Sequence, residues 1–127
     1  MDKKQIQIHC MQILNAHITN VTLSMADHGC LVFGLTVHIS DGTGCTFGGY
    51  SIGHGYLGAD TFEGSERGTA SLMKIMDVVG VERWEDIKGH YIRVKVEKGC
   101  GGSIRAIGNI MKENWFTPEE FFKQAED

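Results

Sequence analysis

Two arginines in the C-terminal part of the chain, Arg93 and Arg105, are placed to bind an anion. Each guanidinium is planar and permanently charged, and it matches two oxygens of a phosphate or carboxylate. Residues 98 to 102 between them read Lys-Gly-Cys-Gly-Gly and predict a hairpin turn that sets the two arginines almost opposite each other. Because facing like charges destabilise a sheet, an anion is expected between them. It is either a ligand phosphate or an acid of the chain, such as Glu97 or a helix carboxylate.

A ligand that combines phosphates with a flat ring also needs stacking surfaces and bare backbone. Tyr50 and Trp84 can present a ring to such a ligand, although each fits a hydrophobic core equally well. Gly48 and Gly49 interrupt a predicted strand, which suits either a bulge that curls the sheet around a helix or the close approach of a ligand. The predicted ligand-binding residues are Arg93, Arg105, Asn109, Tyr50, Trp84, Gly48, Gly49, Gly101 and Gly102.

The motifs of the common enzyme classes are missing or out of context. Residues 53 to 58 fit the G-x-G-x-x-G string of dinucleotide-binding folds, but the predicted helix begins several residues later and follows an antiparallel meander. The six histidines and four cysteines include one close pair of possible zinc ligands, His28 and Cys30, whereas structural zinc sites use two such pairs. No G-x-S-x-G signature is present. We therefore predict no catalytic residue, no metal and no cofactor, and leave open a triad assembled from distant segments.

The size and charge of the chain limit its class and its partners. Its 127 residues suit one hydrophobic core, so a single domain over residues 1 to 127 is predicted. A formal net charge of −4 opposes general attraction to nucleic acid or to anionic lipid. No apolar run approaches the roughly 18 residues of a membrane span, and no export signal is seen. We expect a cytoplasmic protein whose four cysteines are reduced, although their even number leaves disulfides formally open.

The hydrophobic pattern predicts the elements that position these residues. Apolar side chains occupy every odd position from Leu31 to Ile39, which is the period of a half-buried strand. Leu72, Met73 and Met76 share one face of a predicted helix that Gly80 ends. The predicted fold is α+β: a mostly antiparallel sheet, made of a three-stranded meander and a C-terminal hairpin, packed by one main helix and a short C-terminal helix. The predicted strands are residues 12 to 25, 31 to 39, 46 to 52, 92 to 97 and 103 to 110; the helical segments are residues 65 to 79, 84 to 87 and those from 117 onward.

Six short segments, spread over roughly residues 17 to 122, carry a resemblance to small proteins of bacterial phages and prophages. Among these, the chain most resembles the Thoeris anti-defence type 1 family, whose members are nucleotide sponges that bind cyclic ADP-ribose signals without cleaving them. The segments are residues 27 to 30 (DHGC), 46 to 50 (TFGGY), 55 to 58 (GYLG), 78 to 81 (VVGV), 84 to 89 (WEDIKG) and 107 to 109 (IGN).

This resemblance implies a homo-oligomer in the host bacterial cytoplasm that captures a cyclic nucleotide immune signal and so blocks anti-phage defence. Paired arginines, exposed aromatic rings and glycine-lined backbone are compatible with such a ligand. Two other functions stay open. One is a phage inhibitor that covers a host protein surface, as anti-CRISPR proteins do, and the other is a small enzyme that degrades a nucleotide signal.

Overall fold

The computed structural model describes residues 11–26, 29–55, 61–97 and 103–123. These residues form one seven-stranded antiparallel sheet with one main helix and a short C-terminal helix, so the predicted α+β class is confirmed. The strands are β1 (Met11–Met25), β2 (Cys30–Ile39), β3 (Gly44–Gly55), β4 (Phe62–Gly64), β5 (Tyr91–Glu97), β6 (Ile104–Asn109) and β7 (Trp115–Phe116); the helices are α1 (Glu66–Val79) and α2 (Pro118–Lys123), and a 3-10 turn spans Trp84–Ile87.

The long first strand, β1, is the centre of the sheet, whose order is β4-β3-β2-β1-β5-β6-β7. On one side, β1 pairs with β2 from Ala16 to Met25. On the other side, it pairs with β5 from Met11 to His17. The predicted meander and the predicted hairpin are therefore two halves of one sheet, which β1 joins.

The core lies on one face of this sheet, as the two-residue period of β2 predicts. Phe33, Leu35, Val37 and Ile39 are all buried. The residue His38, which alternates with them, is exposed on the opposite face. Ile92, Val94 and Val96 of β5 are buried against the same core, because they keep the same alternation.

Helix α1 covers the core face. Its first turn is capped by Ser65, whose hydroxyl accepts a hydrogen bond from the Gly68 amide. It ends at Gly80, which adopts the left-handed conformation that the sequence predicts there. Ile75 and Val78 are fully buried on its inner face. The contact with β3 is close, because a Cβ atom on Gly68 would lie 2.5 Å from the Cα of Ile52.

The sheet is strongly curved around its core. β3 and β7 have four strands between them in the sheet order, yet the rings of Phe47 and Phe116 meet with centroids 6.1 Å apart. Part of the bend lies at Gly48 and Gly49, whose φ angles are 123° and 83°. The pairing of β2 with β3 shifts register beside them, between Val32 and Gly34. A bulge, one of the two roles predicted for Gly48 and Gly49, is therefore present.

Two short strands, β4 and β7, were not predicted from the sequence. β4 lies within a predicted loop and β7 within a predicted connection, since strands of three and two residues are too short to show a period. Cys30 and Cys45, the cysteines in the described residues, are free thiols as expected. The turn predicted at residues 26 to 29 lies partly outside the described residues. None of the helices in the described part of the chain has the length and apolar character of a membrane span.

Candidate functional site

Arg93, the first of the two candidate arginines, is held by the chain itself. Its Nε donates to the carbonyl of Asn109 at 2.8 Å, and its Nη2 donates to the carbonyl of Lys112 at 2.8 Å. The same Nη2 forms an ion pair with Glu113 at 2.9 Å. Only 19% of its side chain is exposed. Arg93 therefore ties β5 to the loop between β6 and β7.

Trp115 completes this cluster on the sheet face away from the core. Its indole lies against Gly108, where an added Cβ would come within 2.5 Å of the ring. Its Nε1 donates to Glu113 at 3.0 Å, and the Arg93 guanidinium lies 4.8 Å from the ring centroid. The hydrogen bond from Trp115 and then that from Arg93 lower the pKa of Glu113. Gly108 is the sequence feature that could have predicted this contact, since a glycine inside a strand often marks a place where another group packs closely on the backbone.

Asn109 also has a structural role. Its side-chain nitrogen donates to the Val78 carbonyl at the end of α1, at 2.8 Å. Its side-chain oxygen accepts from the amides of Met111 and Lys112 at 2.9 and 2.8 Å. All the polar atoms of the amide are thus engaged with backbone, and they fix the loop after β6 against α1.

Arg105 lies elsewhere, and the expectation that the two arginines face each other is wrong. Arg93 pairs with Gly108, as a hairpin centred on the glycine turn requires. Lys95 pairs with Ala106 and Val96 with Ile104, so Arg105 is the extra residue of a bulge. A bulge re-aims its side chain. Arg105 forms an ion pair with Glu97 at 2.8 Å, which is the carboxylate alternative considered from the sequence.

Tyr50 is an aromatic residue on which the positive charge of Arg105 acts. Its ring packs on Phe33, with centroids 6.0 Å apart, and on Phe122 at 5.1 Å. Burial raises the pKa of the Tyr50 phenol, and the positive charge of Arg105 partly opposes this rise. The Arg105 side chain is 50% exposed. The charge of Arg105 thus reaches the half-buried Tyr50 phenol, although β3 and β6 lie on opposite sides of β1.

The glycines near Tyr50 differ in the space around them. A Cβ on Gly48 would lie 2.6 Å from the Phe33 carbonyl, so this glycine is required for close packing. A Cβ on Gly49 would meet nothing within 4 Å, and this glycine is exposed. Gly49 therefore offers bare main chain beside Tyr50. Gly101 and Gly102, two further predicted ligand-binding residues, lie outside the described residues.

Trp84 packs on Phe33, the same buried residue that Tyr50 contacts. Its ring meets Phe33 edge-on, with centroids 5.9 Å apart. The Trp84 Nε1 is buried, and none of the residues in the described ranges accepts its hydrogen. A buried donor of this kind calls for an acceptor. Tyr50 and Trp84 thus both contact the buried Phe33 ring. Arg93 and Asn109 belong to the separate cluster around Glu113.

Metal-ligating side chains do not cluster in the described part of the chain. Across residues 11–26, 29–55, 61–97 and 103–123, no group of three or more His, Cys, Asp or Glu side chains is placed to hold an ion. His17 and His38 pair across β1 and β2, but the His17 ring stacks on Tyr91 with centroids 4.5 Å apart.

The chain was compared with protein-family models, with curated proteins and with solved structures, and none of the three comparisons finds a match.

Proposed function

We propose that this chain is a binding protein that captures a small phosphate-bearing molecule with a planar ring and releases it unchanged. The ligand class is the cyclic ADP-ribose type, in keeping with the family resemblance described above. The observation that carries the proposal is the half-exposed guanidinium of Arg105, whose positive charge acts on the half-buried phenol of Tyr50. In this function the protein acts in the host bacterial cytoplasm as a homo-oligomer and blocks anti-phage defence by depleting the signal.

Each residue of the proposed site has a role set by its chemistry. A guanidinium has five N–H donors, so Arg105 can bind a phosphate while it keeps its contact with Glu97. The Tyr50 phenol is protonated at neutral pH, because its ordinary pKa of about 10 is far above 7 and burial raises it further, so it can act as a hydrogen-bond donor. The exposed backbone at Gly49 allows close approach of the ligand. Trp84 is not assigned to the ligand, because its N–H is buried and its ring packs on the fully buried Phe33.

Arg93 and Asn109 are not assigned to the ligand in this proposal. Their polar atoms are engaged with Glu113 and with backbone groups near the end of β6. They support the site indirectly, because they hold β6, and with it Arg105, against β5 and α1. The proposed phosphate contact is therefore Arg105 alone, supplemented by neutral donors.

A retention experiment tests the function. The purified protein is incubated with cyclic ADP-ribose isomers and with cyclic oligonucleotides, freed of unbound ligand and heated, and the released material is analysed by mass spectrometry. Intact ligand at a fixed ratio to protein supports capture. Chemically altered ligand would favour the signal-degrading enzyme, and the absence of any retained ligand would favour an inhibitor that covers a host protein surface.

Matched variants test the site. Arg105→Met should lower retention by roughly a hundredfold, because it removes the only charged contact to the phosphate. Glu97→Gln should strengthen retention, since it removes a negative charge beside the guanidinium that repels the phosphate. Arg83→Met is the control, because it removes an exposed arginine that is paired with Asp86 and has no assigned contact with the ligand. Unchanged retention by Arg105→Met would place the site elsewhere.

A further inference from the structure

Lys95 differs from Arg93 and Arg105, which each form an ion pair with a carboxylate. It lies two residues after Arg93 on the same face of β5 and is partly buried. Its ammonium group sits over the Trp115 ring, 4.4 Å from the ring centroid. No carboxylate in the described part of the chain lies within ion-pairing distance of it, whereas Arg93 has Glu113. A partly buried cation that lies over an aromatic ring, and on which Glu113 acts only from beyond ion-pairing distance, favours an added anion.

A cavity of about 320 Å³ opens beside this ammonium group, which is the lower end of the size range of small-molecule sites. It lies where β7 ends and α2 begins. In the described part of the chain, β7 pairs with Ile107 and Gly108 alone, and no other strand lies beside β6 on that side. One cation, one hydroxyl, three aromatic rings and one carboxylate line it. These residues are Lys95, Trp115, Phe116, Thr117, Glu120 and Phe121.

We propose that this cavity is a second binding site, for a small aromatic monocarboxylate. Lys95 binds the carboxylate, and the hydroxyl of Thr117 provides a second hydrogen bond. The rings of Trp115 and Phe121 contact the flat apolar body of the ligand. Glu120 stands at the same cavity and repels a second negative charge, which selects a monoanion over a phosphate.

This site is independent of the proposed nucleotide site. It is built from β5, β7 and α2 and does not use Arg105 or Tyr50. A protein that fails to retain nucleotide can therefore still bind a carboxylate here, and the reverse also holds.

Benzoate is the probe and benzamide its neutral counterpart of nearly the same shape. In ¹⁵N-labelled protein the indole N–H signal of Trp115, assigned with Trp115→Phe, is followed during titration. Benzoate should shift this signal saturably, and benzamide should bind at least roughly tenfold more weakly, because it lacks the charge that Lys95 recognises. Lys95→Met should bind benzoate as weakly as wild type binds benzamide. Lys112→Met, which removes an exposed lysine outside the cavity lining, should bind like wild type.

Three results would overturn the second site. One is equal affinity for benzoate and benzamide, and another is full benzoate binding by a Lys95→Met variant whose circular dichroism matches wild type. The third is a Trp115 signal that shows no saturable shift with benzoate in the millimolar range.

Discussion

The packing of α1 on β3 at Gly68 yields a sharp prediction about stability. A Cβ on Gly68 would lie 2.5 Å from the Cα and 2.9 Å from the Cβ of Ile52. Because carbon atoms in contact prefer about 3.5 to 4.0 Å, Gly68→Ala must push the helix away from the strand by about 1 Å. The obstacle is main chain, which cannot rotate aside as the end of a long side chain does.

The expected cost follows from two opposing effects. A separation of about 1 Å forfeits roughly a quarter to a half of the dispersion energy of the contacts that face it, and overpacked cores lose about 1 to 3 kcal/mol. Alanine returns at most about 1 kcal/mol through its better helix propensity. Because Ile75 and Val78 on the same helix are fully buried, we expect an overpacking cost near the upper end of this range and hence a net loss of about 2 kcal/mol.

Urea unfolding followed by tryptophan fluorescence and by far-UV circular dichroism measures this change. Gly64→Ala is the matched control, since a Cβ there meets nothing within 4 Å and the variant should stay within about 0.5 kcal/mol of wild type. If Gly68→Ala unfolds at the wild-type urea midpoint with an unchanged slope, α1 does not press on Ile52 and the helix–sheet packing argued above is incorrect.

Three further predictions concern the cluster around Glu113. Gly108→Ala should displace the Trp115 ring, which an added Cβ would approach to 2.5 Å, and an unaltered near-UV circular dichroism spectrum would contradict this contact. Asn109→Ala removes three hydrogen bonds to backbone groups and should lower the free energy of unfolding in urea by about 2 kcal/mol. An unchanged free energy of unfolding would make Asn109 a candidate ligand contact again. The pKa of Glu113 is lowered from 4.5, so its stabilising contribution is complete above that pH and is lost as the pH falls through the folded-state pKa. Glu113→Gln should therefore be less stable than wild type at neutral pH, and this difference in melting temperature should shrink in acid, whereas a constant difference would show that the ion pair with Arg93 contributes nothing.

The elements with a clear period were predictable from the sequence. The strand from Cys30 to Ile39 and the helix ending before Gly80 follow directly from alternation, helical spacing and a left-handed glycine, which are local properties of the chain. β4 and β7 were not predictable, because a strand of two or three residues forms where a neighbouring strand offers an edge. The neighbour is set by the tertiary fold, not by the local sequence.

The candidate site was harder to predict because it depends on pairing across distant segments. Sequence identified Arg93 and Arg105 as cations on one hairpin, yet a bulge opposite Lys95 and Val96 sends Arg105 towards Glu97. The effect of the Arg105 charge on Tyr50 joins strands that lie on opposite sides of β1, which no local pattern encodes. Trp115 and Glu113 gave no motif at all, since a spacing of two residues in a loop has no periodic meaning.

The placement of β1 at the centre of the sheet has a consequence for how the protein is made. Its partner β5 lies in the last part of the chain, so the edge of β1 from Met11 to His17 has to wait for Tyr91 to Glu97 to leave the ribosome. Until then a nascent chain holding β1 to β4 presents an unsatisfied strand edge, which is prone to pairing with other chains. Contacts of such long sequence separation also slow folding. Productive synthesis of this protein therefore depends on the late segment arriving before a competing strand does.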